Sequence, residues 1–390
     1  MNAIPDTEWL NWLLSFLQWT QTGFLRLLAA LGLVPDTLGQ PAWPWALRFS
    51  GDNLLIDLGQ ARRLGISILL VGLAVLALAA GLLWRRRRWW AWAVAPVALL
   101  AAPWPDAHVV LVDAHPTSFH RSTTRFSGAA IVRGGALFQQ NCVACHGADG
   151  RGQGPQAASL PVWPPDLSGP LLWRRADGDL LWAVLHGLRD RHGAQTMPAF
   201  GDRLSVGDAW ALIDFMKAQG AGQALRVAGF WPQPVGLPDV PVRCDGGPVR
   251  PLTSWRGQRL RIVAAEPGAP PLLEDPRFVT VLVRPPSSGE GAAQQAECVA
   301  EDASGWEALS LIAGSADRFA GTQLIADRDG WLRARGEPGK AQWSEDDLLC
   351  RTEAGSAKPA ASGAPADGIG ALIARMDADP VRFVKGGFVH

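Results

Sequence analysis

Hydrophobic and polar positions change pattern several times along this chain, and the changes mark out its parts. Gly65 to Trp84 is an almost unbroken apolar run, close to the ~20 residues a bilayer span needs. Arg85 to Arg88 follow without a break, and Trp89 to Trp104 form a second, shorter run with tryptophans at its ends as interfacial anchors. The pattern predicts a transmembrane helical hairpin over 65–105. Upstream, Trp9 to Val34 is apolar but interrupted by Asn11, Ser15, Gln18, Thr22 and Arg26, at steps of four, three, four and four. That spacing sets the five in one stripe along a helix. The expectation is an amphipathic helix lying in the membrane surface. A third span with its polar stripe against another subunit is the alternative. Trp43, Trp45 and Leu54-Leu55-Ile56 extend the interfacial character, so 1–64 is read as one interfacial region.

Beyond 128 the periods change. Ile131 to Gln140 reads as a short helix in which Gly134-Gly135 would let a second helix cross closely, no Cβ standing between the backbones. Ser205-Val206-Gly207-Asp208 has the form of a helix cap, and Trp210, Ile213 and Phe215-Met216 follow with near-helical spacing over Ala209 to Lys217. Gly220 to Val235, rich in Gly, Ala and Pro, reads as a linker. Leu260–Ala264 and Phe278–Val283 then read as strands, Asp302 to Ala313 as a helix, and Leu324 to Ala334 as a hairpin turning at Asp329-Gly330. Glu353 to Gly370 has the composition of a flexible tether. After it, Ala371 to Met376 and the phenylalanines at 383 and 388 suggest a tail that docks on the chain itself or on a neighbouring subunit.

Charge adds direction to this outline. Four arginines at the hairpin tip should stay in the cytoplasm. Everything after Pro105 then lies outside, which for a bacterial inner membrane is the periplasm. The first eight residues carry acidic groups and no basic ones, unlike an ordinary signal peptide. With 36 basic and 36 acidic residues the chain has no net charge, and no electrostatic call on nucleic acid arises. Nineteen tryptophans beside no tyrosine have no physical explanation beyond use at a membrane interface.

The chemistry sits at Cys142-Val143-Ala144-Cys145-His146. C-x-x-C-H is the attachment pattern of a c-type haem. Two thiols add across the vinyl groups, and the next residue, His146, is placed to ligate iron. C-x-x-C alone would also serve a dithiol redox pair or half of a zinc site. Neither explains the glycine-rich loop Gly147 to Gly154 that follows, suited to wrap a haem edge. A second axial ligand is expected at Met197, in Thr196-Met197-Pro198, where a thioether opposite an imidazole raises the potential. His186 and His192 are rival ligands that would lower it. His108, His115 and His120 in the linker 106–128 offer imidazoles for copper or are polar linker residues.

In this order the C-x-x-C-H run, Pro164-Pro165-Asp166-Leu167, the Met197-Pro198 loop and the closing Trp210 helix resemble a class I mono-haem cytochrome c over 129–220. The resemblance implies an all-α domain with one covalent haem c and one-electron transfer. It implies thioethers from Cys142 and Cys145 and axial ligands at His146 and Met197, with Trp163 and Arg151 lining the haem or meeting a propionate. The span followed by Pro-Thr-Ser-Phe and a haem motif also resembles the tail of membrane proteins related to copper-resistance D. Residues 236–352 resemble an α/β thioredoxin-like domain, of the peroxiredoxin or copper-chaperone branch. Ala265 to Asp275, where its reactive cysteine would stand, has none, and nothing in the sequence brings two of Cys244, Cys298 and Cys350 together. That domain is read as a degenerate scaffold for binding a partner, with 353–390 as tether and docking tail.

The whole is thus expected to be multidomain: a membrane-anchored periplasmic cytochrome passing electrons within or to a respiratory membrane complex. Its partners would be membrane lipid and oxidase, reductase or dehydrogenase subunits, and it would have no catalytic activity of its own. An assembly or copper-handling factor with a haem sensor or reductant domain is the alternative.

Overall fold

Apolar residues returning every three to four positions make Glu8–Ala30 a helix, α1, whose Leu10, Leu14 and Leu25 are buried along one side. The structure is a computed structural model, and it describes residues 8–51, 54, 57–83, 88–169, 172, 175–286, 294–300, 302–315, 318–339, 343–344, 347–349, 368–384 and 387–389. The chain divides into two units, one of residues 1–119, 174–176 and 382–389, the other of the remaining chain from 120.

In the first unit, α2 (Leu58–Leu83) starts earlier than its apolar run, because the Asp57 carboxylate accepts from the Gln60 amide at 3.0 Å and caps the first turn. Helix α3 (Arg88–Ala101) packs on α2 through Ala74, Ala95 and Ala98. Beyond α3, the Asp106 amide donates to Gln60 Oε1 at 3.0 Å, tying the chain back to the start of α2. Among the described residues α2 is the one helix long and apolar enough to cross a membrane, with only 17% of its most apolar window buried inside the protein. The 14 residues of α3 rise ~21 Å, short of a ~30 Å hydrocarbon core. The tip at Arg85 to Arg87 lies outside the described residues.

Residues 106–119, expected as linker, are ordered into the same unit. Leu111–Asp113 pairs antiparallel with Leu47–Phe49. Gln21, in the middle of α1, holds that strand pair by accepting from the Phe49 amide at 2.8 Å and donating to its carbonyl at 3.2 Å. At the other end of the chain, Arg382–Val384 and Gly387–Val389 form a hairpin. It lies against α1. The tether from 353 to 367 lies outside the described residues, as does Cys350.

The second unit begins with α4 (Gly128–Asn141), capped by Ser127, and includes α5 (Asp177–His186) and α6 (Val206–Ala228). Ser205 and Asp208 close a reciprocal capping box at the start of α6, as the sequence suggests. Helices α4 and α6 cross where the sequence places its glycine pair: a Cβ on Gly134 would lie 2.6 Å from the Ala211 carbonyl carbon and 2.7 Å from Phe215 Cβ.

Helix α6 runs well past the expected linker start at Gly220 and ends at Gly229, which adopts φ +77°. Gly220 and Gly222 do not break it. Gly222 instead lets the Leu311 carbonyl come into direct contact with the α6 backbone.

Eight strands follow: β1 (Val235–Gly236), β2 (Pro241–Cys244), β3 (Arg250–Pro251), β4 (Leu260–Ala264), β5 (Val279–Val283), β6 (Cys298–Ala300), β7 (Gln323–Ala326) and β8 (Trp331–Gly336). They form one mixed sheet in the order β1-β8-β7-β4-β5-β6-β2-β3, with β4, β5 and β6 parallel. Helix α7 (Ala303–Ile312), capped by Asp302, packs against both α4 and α6. A single core runs from Ile131, Phe138 and Trp210 through Trp231 and Leu309 to Ile262 and Leu332. The sheet is therefore joined to the helices through shared packing, where the composition of 220–235 suggested a loose connection.

The expectation that no two cysteines meet is corrected: Cys244 on β2 and Cys298 on β6 are register partners and form a disulfide. The pairing depends on strand register across 54 residues of sequence. Helix α8 (Gly368–Ala378) closes a smaller core with Leu372 and Met376 over Phe278 and Ile325. The fully buried Arg333 pairs with Asp327 at 3.2 Å and donates to the Asp379 carbonyl at 2.6 Å, which fixes the end of α8.

Candidate functional site: a haem-binding loop

Cys142 is the residue on which α4 ends, its amide still donating to the Phe138 carbonyl at 2.8 Å. The chain then makes a one-turn helix, Val143–His146, in which the Cys142 carbonyl accepts from Cys145 at 3.2 Å and from His146 at 2.9 Å. Cys142, Cys145 and His146 therefore stand on one tight turn fixed to the helix that crosses α6. The loop beyond folds back over this turn. Gly152 donates to the His146 carbonyl at 2.8 Å, Gly154 to that of Cys145 at 3.0 Å, and Gln156 to that of Ala144 at 2.8 Å. Gln219, on α6, braces the loop by donating to the Ala148 carbonyl at 2.7 Å.

Both thiols are free of disulfide pairing. Burial first, and then the neighbouring Cys145, push the Cys142 thiol up to about 11. That direction is opposite to the one that activates an attacking thiolate, which counts against the dithiol reading. The zinc reading fares no better, since no group of three or more His, Cys, Asp or Glu able to hold a metal ion occurs among the described residues.

Burial holds the His146 imidazole below its ordinary pKa, with the Pro165 carbonyl acting in the opposite direction. Its Nδ1 is buried without a hydrogen-bond partner. A neutral imidazole is the state that ligates iron. Arg151 Nε, on the same loop, makes no hydrogen bond and faces Asp149 Oδ2 at 3.9 Å. Two free thiols three residues apart and, beside them, an imidazole whose Nδ1 has no hydrogen-bond partner fit a covalently held haem. Trp163 is exposed, with 57% of its surface free, beside exposed Val162.

Met197 ends a short strand, Gln195–Met197, that pairs back on Leu188–Arg189. It is half-buried and packs against the same core as Cys142 and Val143. Gly187, at φ +72°, turns the chain from α5 beneath this strand, and a Cβ there would lie 2.8 Å from the Ala199 amide. The rival histidines are exposed. His186 stacks on Trp182 with ring centroids 3.7 Å apart, and His192 contacts Arg191 at 3.2 Å. Gly187 and Gln219 support the site without having been singled out for it by sequence. Only the positive φ at Gly187 had a readable signal, a glycine closing an apolar helix.

Residues 129–216 match the family described as cytochrome C oxidase, cbb3-type, subunit III. No curated protein matches the chain. Among solved structures it is similar to a chain of the Kuenenia stuttgartiensis reducing HAO-like protein complex, with 21% identity and a TM-score of 0.23. That match covers 32% of this chain and 59% of the other. The family match supports a cytochrome c domain over 129–216, and such a domain implies covalently bound haem c and suggests electron transfer.

Proposed function

We propose that this chain is a membrane-anchored c-type cytochrome that carries single electrons at the periplasmic face of a bacterial inner membrane. The observation that carries the reading is the turn Cys142–His146, with two unpaired thiols and an imidazole whose Nδ1 has no hydrogen-bond partner, within the segment that matches a cytochrome c family. Cys142 and Cys145 would hold one haem c through thioethers, and His146 and Met197 would supply the ligands to its iron. Bound haem supplies a one-electron couple; the protein supplies the rest. Helix α4 and the folded-back loop fix the thiols and His146, while Gly187 and the paired strand present Met197. The shared core keeps water from one side.

The anchor is α2 with α3 returning along it, a hairpin supported by the Gln60–Asp106 bond and the exposed apolar surface of α2. The Cys244–Cys298 disulfide supports an oxidising compartment for the residues beyond it. The strand order β8-β7-β4-β5 with α7 and α8 supports a thioredoxin-like ancestry. Between β4 and β5 the chain carries neither helix nor cysteine, so this domain acts as a scaffold, not as a thiol catalyst. Its packing against α4 and α6 leaves the Met197 side and the loop around Trp163 for a redox partner, such as an oxidase, reductase or dehydrogenase subunit. Tethering to the membrane raises the haem's effective concentration near that partner.

Potentiometric titration of the detergent-extracted protein tests this directly. A single one-electron wave at positive potential is expected. Absence of covalent haem after denaturation, or two waves, would overturn the reading.

A further inference from the structure

Helix α1 has three sides. Leu10, Leu14, Gln21 and Leu25 face the interior of their unit. Ser15, Gln18, Thr22 and Arg26 form a polar stripe. On the third side Trp12, Phe16, Trp19 and Leu27 stand bare, with 78%, 49%, 71% and 54% of their surfaces exposed. Four large apolar side chains on one helical face are not left in water without cause. Phe24, beside them, stacks on Trp45 at 5.6 Å and carries the apolar surface onto the next segment.

We infer that α1 lies flat in the lipid–water interface, at the end of α2 where the chain enters the membrane, with Trp12, Phe16, Trp19 and Leu27 in the acyl boundary. The inference rests on reading α2 as a membrane span. Three observations carry it. First, among the described residues the packed cluster between α1 and α2 lies near the start of each helix: Leu10, Leu13, Leu14 and Leu17 with Ala61, Leu64 and Ile68. A third spanning helix would pack along the partner's length. Second, Gln21 at the middle of α1 is bonded to the Phe49 backbone, on a two-stranded ribbon. That ribbon carries the exposed Asp113, a carboxylate that hydrocarbon does not tolerate. The centre of α1 is therefore held at the level of a polar ribbon, outside the bilayer core. Third, Arg26 on α1 and Arg62 and Arg63 on the first turns of α2 are exposed, placed for headgroup phosphates beside the tryptophans. Lipid matches both the aromatic face and this cationic rim.

Nitroxide labels placed by Phe16→Cys, Leu27→Cys, Ser15→Cys and Leu76→Cys, each in a Cys350→Ser background of the full haem-loaded chain, test the geometry. The protein is reconstituted in phosphatidylcholine–phosphatidylglycerol vesicles, and label depth is read from collisions with oxygen and with a water-soluble nickel chelate. The labels at 16 and 27 should both sit ~5–10 Å below the headgroups, although the two positions are ~16 Å apart along the helix. The label at 15 should be accessible to nickel and that at 76 should lie near the bilayer centre. Depths at 16 and 27 that differ by the full helical rise would mean that α1 crosses the membrane. Labels at 16 and 27 in water, or shielded from both probes, with 76 still deep, would mean a free surface or a protein partner; either overturns the inference while leaving the anchor intact. A label at 76 in water would overturn the anchor itself, and the inference with it.

Discussion

Replacing Gly134 by alanine puts one methyl group where α4 and α6 touch. The new Cβ would lie 2.6 Å from the Ala211 carbonyl carbon and 2.7 Å from Phe215 Cβ, both well inside van der Waals contact. Neither neighbour can rotate away, because one is helix backbone and the other is fixed to it. Overpacking of this kind costs ~1–3 kcal/mol, and a backbone obstacle places it at the upper end. The helix propensity gained by Gly→Ala returns up to ~1 kcal/mol, for a net loss of about 2 kcal/mol. The next residue is the internal control. A Cβ on Gly135 meets only the edge of the Phe215 ring, at 3.0 Å from Cε2, and a ring can swing. Gly135→Ala should therefore be close to neutral. For a unit of this size ~2 kcal/mol lowers Tm by about 4–8 °C. Heating the haem-loaded protein while following far-ultraviolet circular dichroism and Soret absorbance measures both variants. If Gly134→Ala melts at or above Gly135→Ala, the close crossing is not what the glycine pair is for.

Other perturbations separate the parts of the account. Asp214 is buried on α6 and accepts from the Thr124 hydroxyl at 2.5 Å; burial raises its carboxyl from 3.8 to about 6, with Thr124 and Lys217 opposing. Its folded form holds more protons than the unfolded chain between those values, so stability falls as pH rises through that window, by on the order of 3 kcal/mol. Asp214→Asn, which keeps an acceptor for Thr124, should lose much less between pH 4 and 7 in urea unfolding, and equal losses in the two proteins would refute the assignment. Gly187→Ala forces a Cβ onto a positive φ beneath the Met197 strand; it should weaken sulfur ligation and yield a partly high-spin haem, whereas an unchanged spectrum would show that the turn is not needed. Cys244→Ser opens a loop spanning 54 residues and should cost up to ~4 kcal/mol in unfolding while the haem spectrum stays the same. A haem change in that variant would mean that the disulfide reaches the site.

Much of the haem-binding segment was legible because its signals are local. The turn at Cys142, the capping box at Ser205 and the glycine pair at 134 each act within a few residues of their partner or on a helix face. The strands at 260–264 and 279–283 and the helix capped by Asp302 likewise follow from period and cap. What could not be read depends on partners distant in sequence. Gly220 and Gly222 look like linker until Leu311 is seen against α6, where a side chain would not fit. Cys244 and Cys298 meet only because β2 and β6 are neighbours in the sheet. Gln21 carries no sign in the sequence that it will clasp the backbone of Phe49.

The central claim is a haem held by Cys142 and Cys145 with iron between His146 and Met197. Redox-poised absorption spectra of the extracted protein and of Met197→Ala, with and without carbon monoxide, test it most directly. The account predicts a low-spin wild-type haem that ignores carbon monoxide. In the variant the potential should fall, the methionine–sulfur charge-transfer band should vanish and carbon monoxide should bind. A wild-type haem that is high-spin or binds carbon monoxide, or a variant indistinguishable from wild type, would contradict the assigned ligand and with it the reading as an electron carrier.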